Sequence, residues 1–559
     1  MTNKYFYHST LQRIDMLRLF ANSVASVQSA ERLGIFIGFT LLYLATLSQN
    51  LSITHDSIAY LHSITDANPK FHANHLLYEH FGVLISQIGS PWFDAQQSLG
   101  IASAIAGGFV TQVIYSILRE NFKVSAYISL CSIGIIGFSY GIWYYSIAVE
   151  IYIFQLSLLM LCFKLLLSPK AGFSTFITCA FIHSAAVLLH ESSVLFGAVP
   201  LVAIYCLPQR SWAEKFRILA VYLTLCAVIV GGSYLLAAST LDKLNSIEQF
   251  FIWVTGNGSH EEWSGFSLHS VLLAFVGSAR AMVSFSFLLS IDEMQNALTS
   301  WFPANNLTDE SFLVRNLHST YATLLAISAV ALSGILALLA LISVRGLIKA
   351  EITNQLMLAL SWLVPTTIFF ISFNPSNVDF WIPVFVLGIV LIAAGHTHKS
   401  ISHSYLFALA AVLVFTVNFA GVIRPATDSS NDYNRQLISS YANTLSQDDI
   451  LVIADDWPIA EHLDYYERFE YFNVAQRFAS GKSAYATADE LRNFSENKGN
   501  IFVHQDLYQL PSHSFNEWGA SYAIFLEALT QYFCNDGSKI SDVQFPDLMK
   551  ISCLLDPNL

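Results

Sequence analysis

The sequence predicts an α-helical polytopic membrane protein, with about eleven transmembrane helices and a small α/β soluble domain at its C-terminal end. Three observations predict it. Hydrophobic residues make up 54% of the 559-residue chain and charged residues only 12%, whereas soluble domains carry roughly a quarter of their residues as charges. Apolar runs that approach or reach the ~20 residues a helix needs to cross a bilayer recur between residues 34 and 423. Past residue 424 charges return and the apolar runs shorten, as water exposure requires.

Residues 1–33 are polar and mixed in charge. They are expected to form a cytosolic segment with a surface helix, because the apolar run after them is too long, and lacks the small-residue site, for a cleavable signal peptide. Spans are expected at 34–51, 99–118, 124–142, 149–167, 172–189, 192–207, 217–238, 319–343, 354–373, 380–395 and 402–423. The run 270–290 contains Arg280, and the positive-inside rule decides its fate. Left uncrossed, it gives inward segments rich in cations, among them Arg18, Arg32, Arg119, Lys123, Lys215, Arg345 and Lys349. The longer outward side up to residue 423 then holds only Lys70, Lys243, Arg280 and Arg315. The run is therefore read as an interfacial or re-entrant helix, with outward loops at 52–98 and 239–318.

Residues 424–559 form the expected outward α/β domain, with buried strands in DDILVIADD (448–456) and GNIFVHQDL (499–507). Asp455 and Asp456 end the first strand, where they either face a ligand or cap the helix starting near Trp457. Of seven cysteines, five fall in or beside spans as small apolar residues, while Cys534 and Cys553 in the tail could pair in an oxidising compartment. The net charge of −13 lies largely in the outward loops and tail and argues against a nucleic-acid partner.

Ionisable groups at a membrane boundary are costly unless hydrated or paired, so their placement is informative. His55 and Asp56 follow the first span, Glu150 opens the fourth, His190 and Glu191 separate the fifth from the sixth, and Asp379 separates the ninth from the tenth. Either these line one cavity on the outward side or they are independent headgroup-level carboxylates and imidazoles; the shared cavity is the more economical. Within it, Asp56 is the candidate general base, since partial desolvation makes a carboxylate more basic. His72, His75 and Tyr78 in FHANHLLYEHFG supply hydrogen bonds to a polar ligand or to their own loop, with His62 and His80 structural. No cofactor is required; a divalent metal on His72 and His75 with Asp56 or Glu79 is the less favoured reading. Arg280 either meets phosphate oxygens or snorkels to the headgroups. Trp143, Tyr144 and Tyr145 read as an interfacial aromatic belt before a sugar-stacking platform. His260, Glu261 and Glu262 form a polar turn with only a weak acceptor signal.

An acid after the first span, the element HANHLLY (72–78), EIY (150–152), LLHESSVL (188–195) and NPSNVDFWIP (374–383) together resemble the GT-C class of membrane glycosyltransferases, in the branch related to protein O-mannosyltransferases. The resemblance covers residues 34–423. It implies an inverting transfer of sugar from a polyprenyl-phosphate-linked donor to a hydroxyl of a glycan, lipid or protein acceptor on the periplasmic or luminal side. Asp56 matches the catalytic acid of the first loop, and Glu150, His190, Glu191 and Asp379 match cavity positions. Two departures stand out: the first loop reads HDS where O-mannosyltransferases carry paired acids, and Asp379 stands where Glu is expected. The expected location is a bacterial inner membrane, N-terminus cytoplasmic and C-terminal domain periplasmic. A multi-pass transporter or flippase of a lipid-linked or anionic substrate is the alternative; it would place charges near the midplane, break its helices and show two similar halves, whereas the acids stand at the outer boundary and the sequence shows no such symmetry.

Overall fold

A computed structural model describes residues 28–54, 56–208, 210–241, 246–254, 263–301, 307–349, 353–396, 404–446, 449–454, 457–466, 470–495, 501–504, 520–529, 541–542 and 548–550. The chain divides into two compact units. His55, Asp455, Asp456, Cys534, Cys553 and the turn 260–262 lie outside the described residues.

The first unit comprises Met1–Ser48, Ile64–Met294 and Asn316–Thr427 and is helical. Among the described residues, five helices of this unit are long and apolar enough to cross a membrane: Ala95–Asn121, Trp212–Ser239, Ser319–Ile348, Asn354–Ser372 and Ser404–Ala426. Large apolar side chains on them stay exposed, such as Leu235 and Leu236 on the second and Ile327, Val330 and Leu341 on the third. Only a lipid environment makes such a surface stable, so the chain is an integral membrane protein. Shorter apolar helices, including Tyr152–Leu166, Phe173–Leu189, Glu191–Tyr205 and Val378–Ala394, pack among them.

The expected span 124–142 is not one straight helix. It breaks between Ala126–Gly137 and Tyr140–Ser146 with a bend of 71°. A helix end strands carbonyls, and lipid offers no water to satisfy them. Here side chains do so: Ser139 Oγ donates to Ile136 O at 2.6 Å, Tyr43 Oη to Gly137 O at 2.9 Å and Asn418 Nδ2 to Phe138 O at 2.9 Å. Asn418 Nδ2 also donates to Met282 O at 2.8 Å. It thereby ties this break to the end of Leu268–Met282. That helix has 15 residues, about 22 Å at 1.5 Å per residue, and stops where Val283 turns extended. The run 270–290 is accordingly a short helix followed by the 3-10 turn Ser286–Ser290.

Polar contacts join segments that the alternation of spans assigns to one side. Arg32 pairs with Glu120 at 2.7 Å, Lys164 with Glu120 at 3.6 Å, and Asn121 Nδ2 donates to Leu167 O at 3.1 Å. Elsewhere in the unit, Leu77 N donates to Leu188 O at 2.9 Å and Glu191 N to Asn74 O at 2.8 Å.

The second unit comprises Gln49–Ser63, Gln295–Arg315 and Asp428–Leu559. Its described strands β1 (Ile450–Ile453), β2 (Tyr471–Asn473), β3 (Ile501–His504), β4 (Ser541–Asp542) and β5 (Leu548–Lys550) form a sheet of order β2-β1-β3-β5-β4. β1 pairs in parallel with β2 and β3, while β5 runs antiparallel to β3 and β4. Strand alternation explains the all-apolar β1. Ile450 and Val452 pack with Phe478, Leu491 and Phe525 on one face, and Leu451 and Ile453 pack with Ile438, Tyr441 and Leu463 on the other. Each such burial contributes about 1.5–3 kcal/mol.

Candidate active site

In the first unit the contacts start from the loop before helix Tyr78–Gly89. Glu79 sits in that helix's first turn, 2% exposed. Its Oε2 accepts Lys70 N–H at 2.6 Å and its Oε1 lies 3.2 Å from His72 Nε2. Burial would raise the Glu79 carboxyl, but those two hydrogen bonds and the charges of His72 and His75 outweigh it and hold it below the usual carboxylate range. His75, its ring 4.8 Å from that of His72, is pushed down to about 4, by burial first and then by the His72 charge. Tyr78 is fully buried, 6.4 Å ring to ring from Phe154.

His190 stands between helix Phe173–Leu189 and the 3-10 turn Glu191–Gly197, outside the spans. Leu77 N–H donating to Leu188 O and Glu191 N–H donating to Asn74 O bring it beside His75. Its Nδ1 accepts Ser192 N–H at 3.2 Å and lies 2.8 Å from Ser192 Oγ. Gln155 Nε2 donates to Ser192 Oγ at 2.9 Å. That leaves the hydroxyl proton for His190. With Nδ1 accepting from both sides, the ring proton belongs on Nε2. Burial, then the charge of His75, pushes the His190 imidazole down to about 3. It is thus a neutral donor at physiological pH.

From His190 a line of rings leads to Asp379. The centroids of His190 and Tyr152 are 5.1 Å apart and those of Tyr152 and Tyr145 are 5.5 Å apart, and Tyr145 Oη donates to Asp379 Oδ1. Phe380 closes on His190 at 6.2 Å. Asp379 lies in the first turn of Val378–Ala394, whose cap Asn377 accepts the Asp379 N–H at 3.1 Å. The preceding loop is pinned by Trp381 Nε1 donating to Pro375 O at 2.8 Å. Gly277 makes that approach feasible: a Cβ there would come within 2.5 Å of Pro375 O. Arg280, half-buried, occupies the last turn of the same helix as Gly277. Glu150, 1% exposed, lies two residues before the start of helix Tyr152–Leu166.

Chains of contacts in the first unit therefore link His72 and His75, through the bonds of their loop with residues 188 and 191, to His190 and Glu191, and link His190, through Tyr152 and Tyr145, to Asp379; they add Glu79, Tyr145, Tyr152, Gln155 and Ser192. Sequence reading passed over the last two because polar residues inside apolar runs carry no signal of their own. Trp143, Tyr144 and Tyr145 are no lipid-facing belt: they are at most 2% exposed, and Trp143 Nε1 donates to Thr46 Oγ1 at 3.0 Å. The bend after Gly137 turns this stretch into the protein. His80 stacks on Phe71 at 4.3 Å. Among the described residues no group of three His, Cys, Asp or Glu is arranged to hold a metal. An apolar cleft of about 620 Å³ lined by Gly38, Phe39, Leu42, Leu130 and Phe138 contains none of these residues.

Asp56 belongs to the second unit, as the first residue of helix Asp56–Thr65. It is exposed, not at a dry boundary, while Ser57 and Ile58 beside it are buried. His62, on the same helix, pairs with Glu461 at 3.0 Å.

No protein-family model and no curated protein matches the chain. Among solved structures it is similar to ArnT from Cupriavidus metallidurans bound to undecaprenyl phosphate, at 11% identity and TM-score 0.52, covering 95% of this chain and 98% of that one. The apo state of ArnT from the same organism gives 12% identity, the same coverage of 95% and 98%, and TM-score 0.49. The Archaeoglobus fulgidus oligosaccharyltransferase in complex with Zn and sulfate gives 11% identity, 89% and 71% coverage, and TM-score 0.48. Resting on the first of these, which spans nearly the whole of both chains, the fold is that of the GT-C glycosyltransferases.

Proposed function

We propose that the protein is an inverting membrane glycosyltransferase that moves a sugar from a polyprenyl-phosphate-linked donor to an acceptor hydroxyl on the periplasmic side of a bacterial inner membrane. The observation that carries this reading is the likeness, over 95% of the chain, to a structure that holds undecaprenyl phosphate. The cluster of imidazoles and carboxylates in the membrane unit supports it. The acceptor is a glycan, lipid or protein.

In this reading Asp56 takes the proton from the acceptor hydroxyl as its oxygen attacks the anomeric carbon. The bond from that carbon to the phosphate oxygen breaks on the opposite face, and polyprenyl phosphate leaves with the electron pair. The neutral Nε2–H of His190 and the guanidinium of Arg280 donate to the phosphate oxygens as charge accumulates. His55, His72, His75, Tyr78, Glu150, Glu191 and Asp379 hold the sugar and its phosphate. The donor carries its own activated leaving group, so the reaction is proposed to need no cofactor. The proposal keeps eleven spans, an inward N-terminus and an outward 424–559 domain; the pairing of Arg32 and Lys164 with Glu120 supports a common side for those three segments.

The test supplies full-length protein in nanodiscs with a panel of undecaprenyl-phosphate-linked hexoses, pentoses and amino sugars, and follows release of undecaprenyl phosphate. Turnover by the wild type and its loss in Asp56→Asn, with insertion intact, is expected. Full activity in Asp56→Asn would remove Asp56 from the mechanism.

A further inference from the structure

We propose that Asp432 is a positioning residue for the segment that carries Asp56, so that the C-terminal region of the chain holds the candidate base in place. The role given to Asp56 rests on the function proposed above; the hold on its segment rests on geometry within the second unit.

Residues 49–63 follow the first apolar run, yet they fold with the C-terminal region. The joint is Asp432, fully buried, 380 residues away from Ser52. Its Oδ1 accepts Ser52 Oγ–H at 2.5 Å and Arg435 N–H at 3.0 Å, and its Oδ2 accepts Leu51 N–H at 2.8 Å. The bond from Arg435 is the ordinary cap of helix Tyr433–Thr444. The two bonds from residues 51 and 52 are not needed by a cap, and they are what fastens the distant segment.

The fastening is continued on both sides. Ser52 Oγ, having donated to Asp432, accepts Asn434 Nδ2–H at 3.1 Å. Asn50 Nδ2 donates to Asn431 O at 2.8 Å, and Asn50 Oδ1 accepts Ser52 N–H at 2.9 Å and Ile53 N–H at 3.0 Å. Asn50, Ser52, Asp432 and Asn434 are each at most 3% exposed. A buried carboxylate with three donors is stable only while all three stay in place. The chain then runs four residues from Ser52 to Asp56, where Thr54 Oγ1 and Ser57 Oγ meet at 2.7 Å and the Asp56 side chain emerges exposed. The contact of His62 Nδ1 with Glu461 Oε2 at 3.0 Å fixes the same helix further along.

Two variants of the full-length protein in nanodiscs test this by hydrogen–deuterium exchange. Asp432→Asn puts an N–H where one of three donors needs an acceptor, and Ser52→Ala deletes a single hydroxyl. In both, peptides covering 50–57 are expected to exchange roughly tenfold faster or more, the factor for losing one charge-assisted hydrogen bond. Peptides covering β1 keep wild-type protection. With an undecaprenyl-phosphate-linked sugar that the wild type turns over, Ser52→Ala lowers kcat and leaves KM unchanged, a split that a merely structural role does not give. Unchanged exchange of 50–57 in both variants overturns the proposal, as does equal acceleration of β1 in Ser52→Ala. A wild type inactive on all such donors overturns the functional reading instead, and the exchange of 50–57 still decides the hold.

Discussion

The relay from Gln155 through Ser192 to His190 makes a definite statement about one proton. With a pKa of about 3, His190 is about 1% protonated at about pH 5, where an imidazole of ordinary pKa ~6.5 is about 97% protonated. Its folded pKa lies below its unfolded one, so between about pH 6.5 and the folded value the unfolded chain binds more protons and stability falls as pH falls. At about pH 5 that loss amounts to about 2 kcal/mol relative to pH 7.5, and it stops growing below about pH 3. The assay is nitrogen NMR of 15N-histidine-labelled protein in nanodiscs at about pH 7.5 and about pH 5, with the His190 signals assigned by their absence in His190→Gln. At both pH values the ring is expected neutral with Nε2 protonated. Ser192→Ala, which removes the hydroxyl 2.8 Å from Nδ1, brings in a fraction of the Nδ1–H tautomer. A cationic ring at about pH 5, or an Nδ1–H tautomer in the wild type, would refute the reasoning.

Three further expectations follow from named contacts. Gly277→Ala drives a Cβ to within 2.6 Å of the Trp381 ring and 2.5 Å of Pro375 O; it should destabilise the protein by about 1–3 kcal/mol in thermal melts, and unchanged melting would mean that this close approach is absent. Tyr145→Phe removes the hydroxyl that donates to Asp379 and should lower kcat/KM for the lipid-linked sugar about tenfold, with wild-type kcat/KM counting against a part for Asp379 in binding. A reporter fused after residue 424 should be active outside the cytoplasmic membrane. A cytoplasmic signal would mean that 270–290 crosses.

The membrane class was legible because it is a matter of bulk composition and run length, and the GT-C likeness because its polar elements stand out against apolar neighbours. EIY, LLHESSVL and NPSNVDFWIP mark Tyr152, His190 and Asp379, which the fold joins through aromatic contacts. The break after Gly137 was not legible, since the groups that satisfy its carbonyls come from Tyr43 and Asn418, one far before and one far after it. The same holds for Asp432, which looks like any helix cap until Leu51 and Ser52 are seen donating to it. Tyr145 was read as a belt because aromatic residues near a span end usually are one; a 71° bend that turns them inward leaves no trace in composition. The position of Asp56 next to a span predicts a dry carboxylate, and its exposure reflects the fold of its segment with the second unit.

The most direct measurement is an electron cryomicroscopy map of the full-length protein in nanodiscs with undecaprenyl phosphate. Phosphate density within hydrogen-bonding distance of His190 Nε2 or the Arg280 guanidinium, with the Asp56 carboxylate facing the same space, is the result expected. Lipid phosphate bound only at the acyl-chain surface, away from His190 and Arg280, would contradict the assignment of a lipid-linked sugar donor.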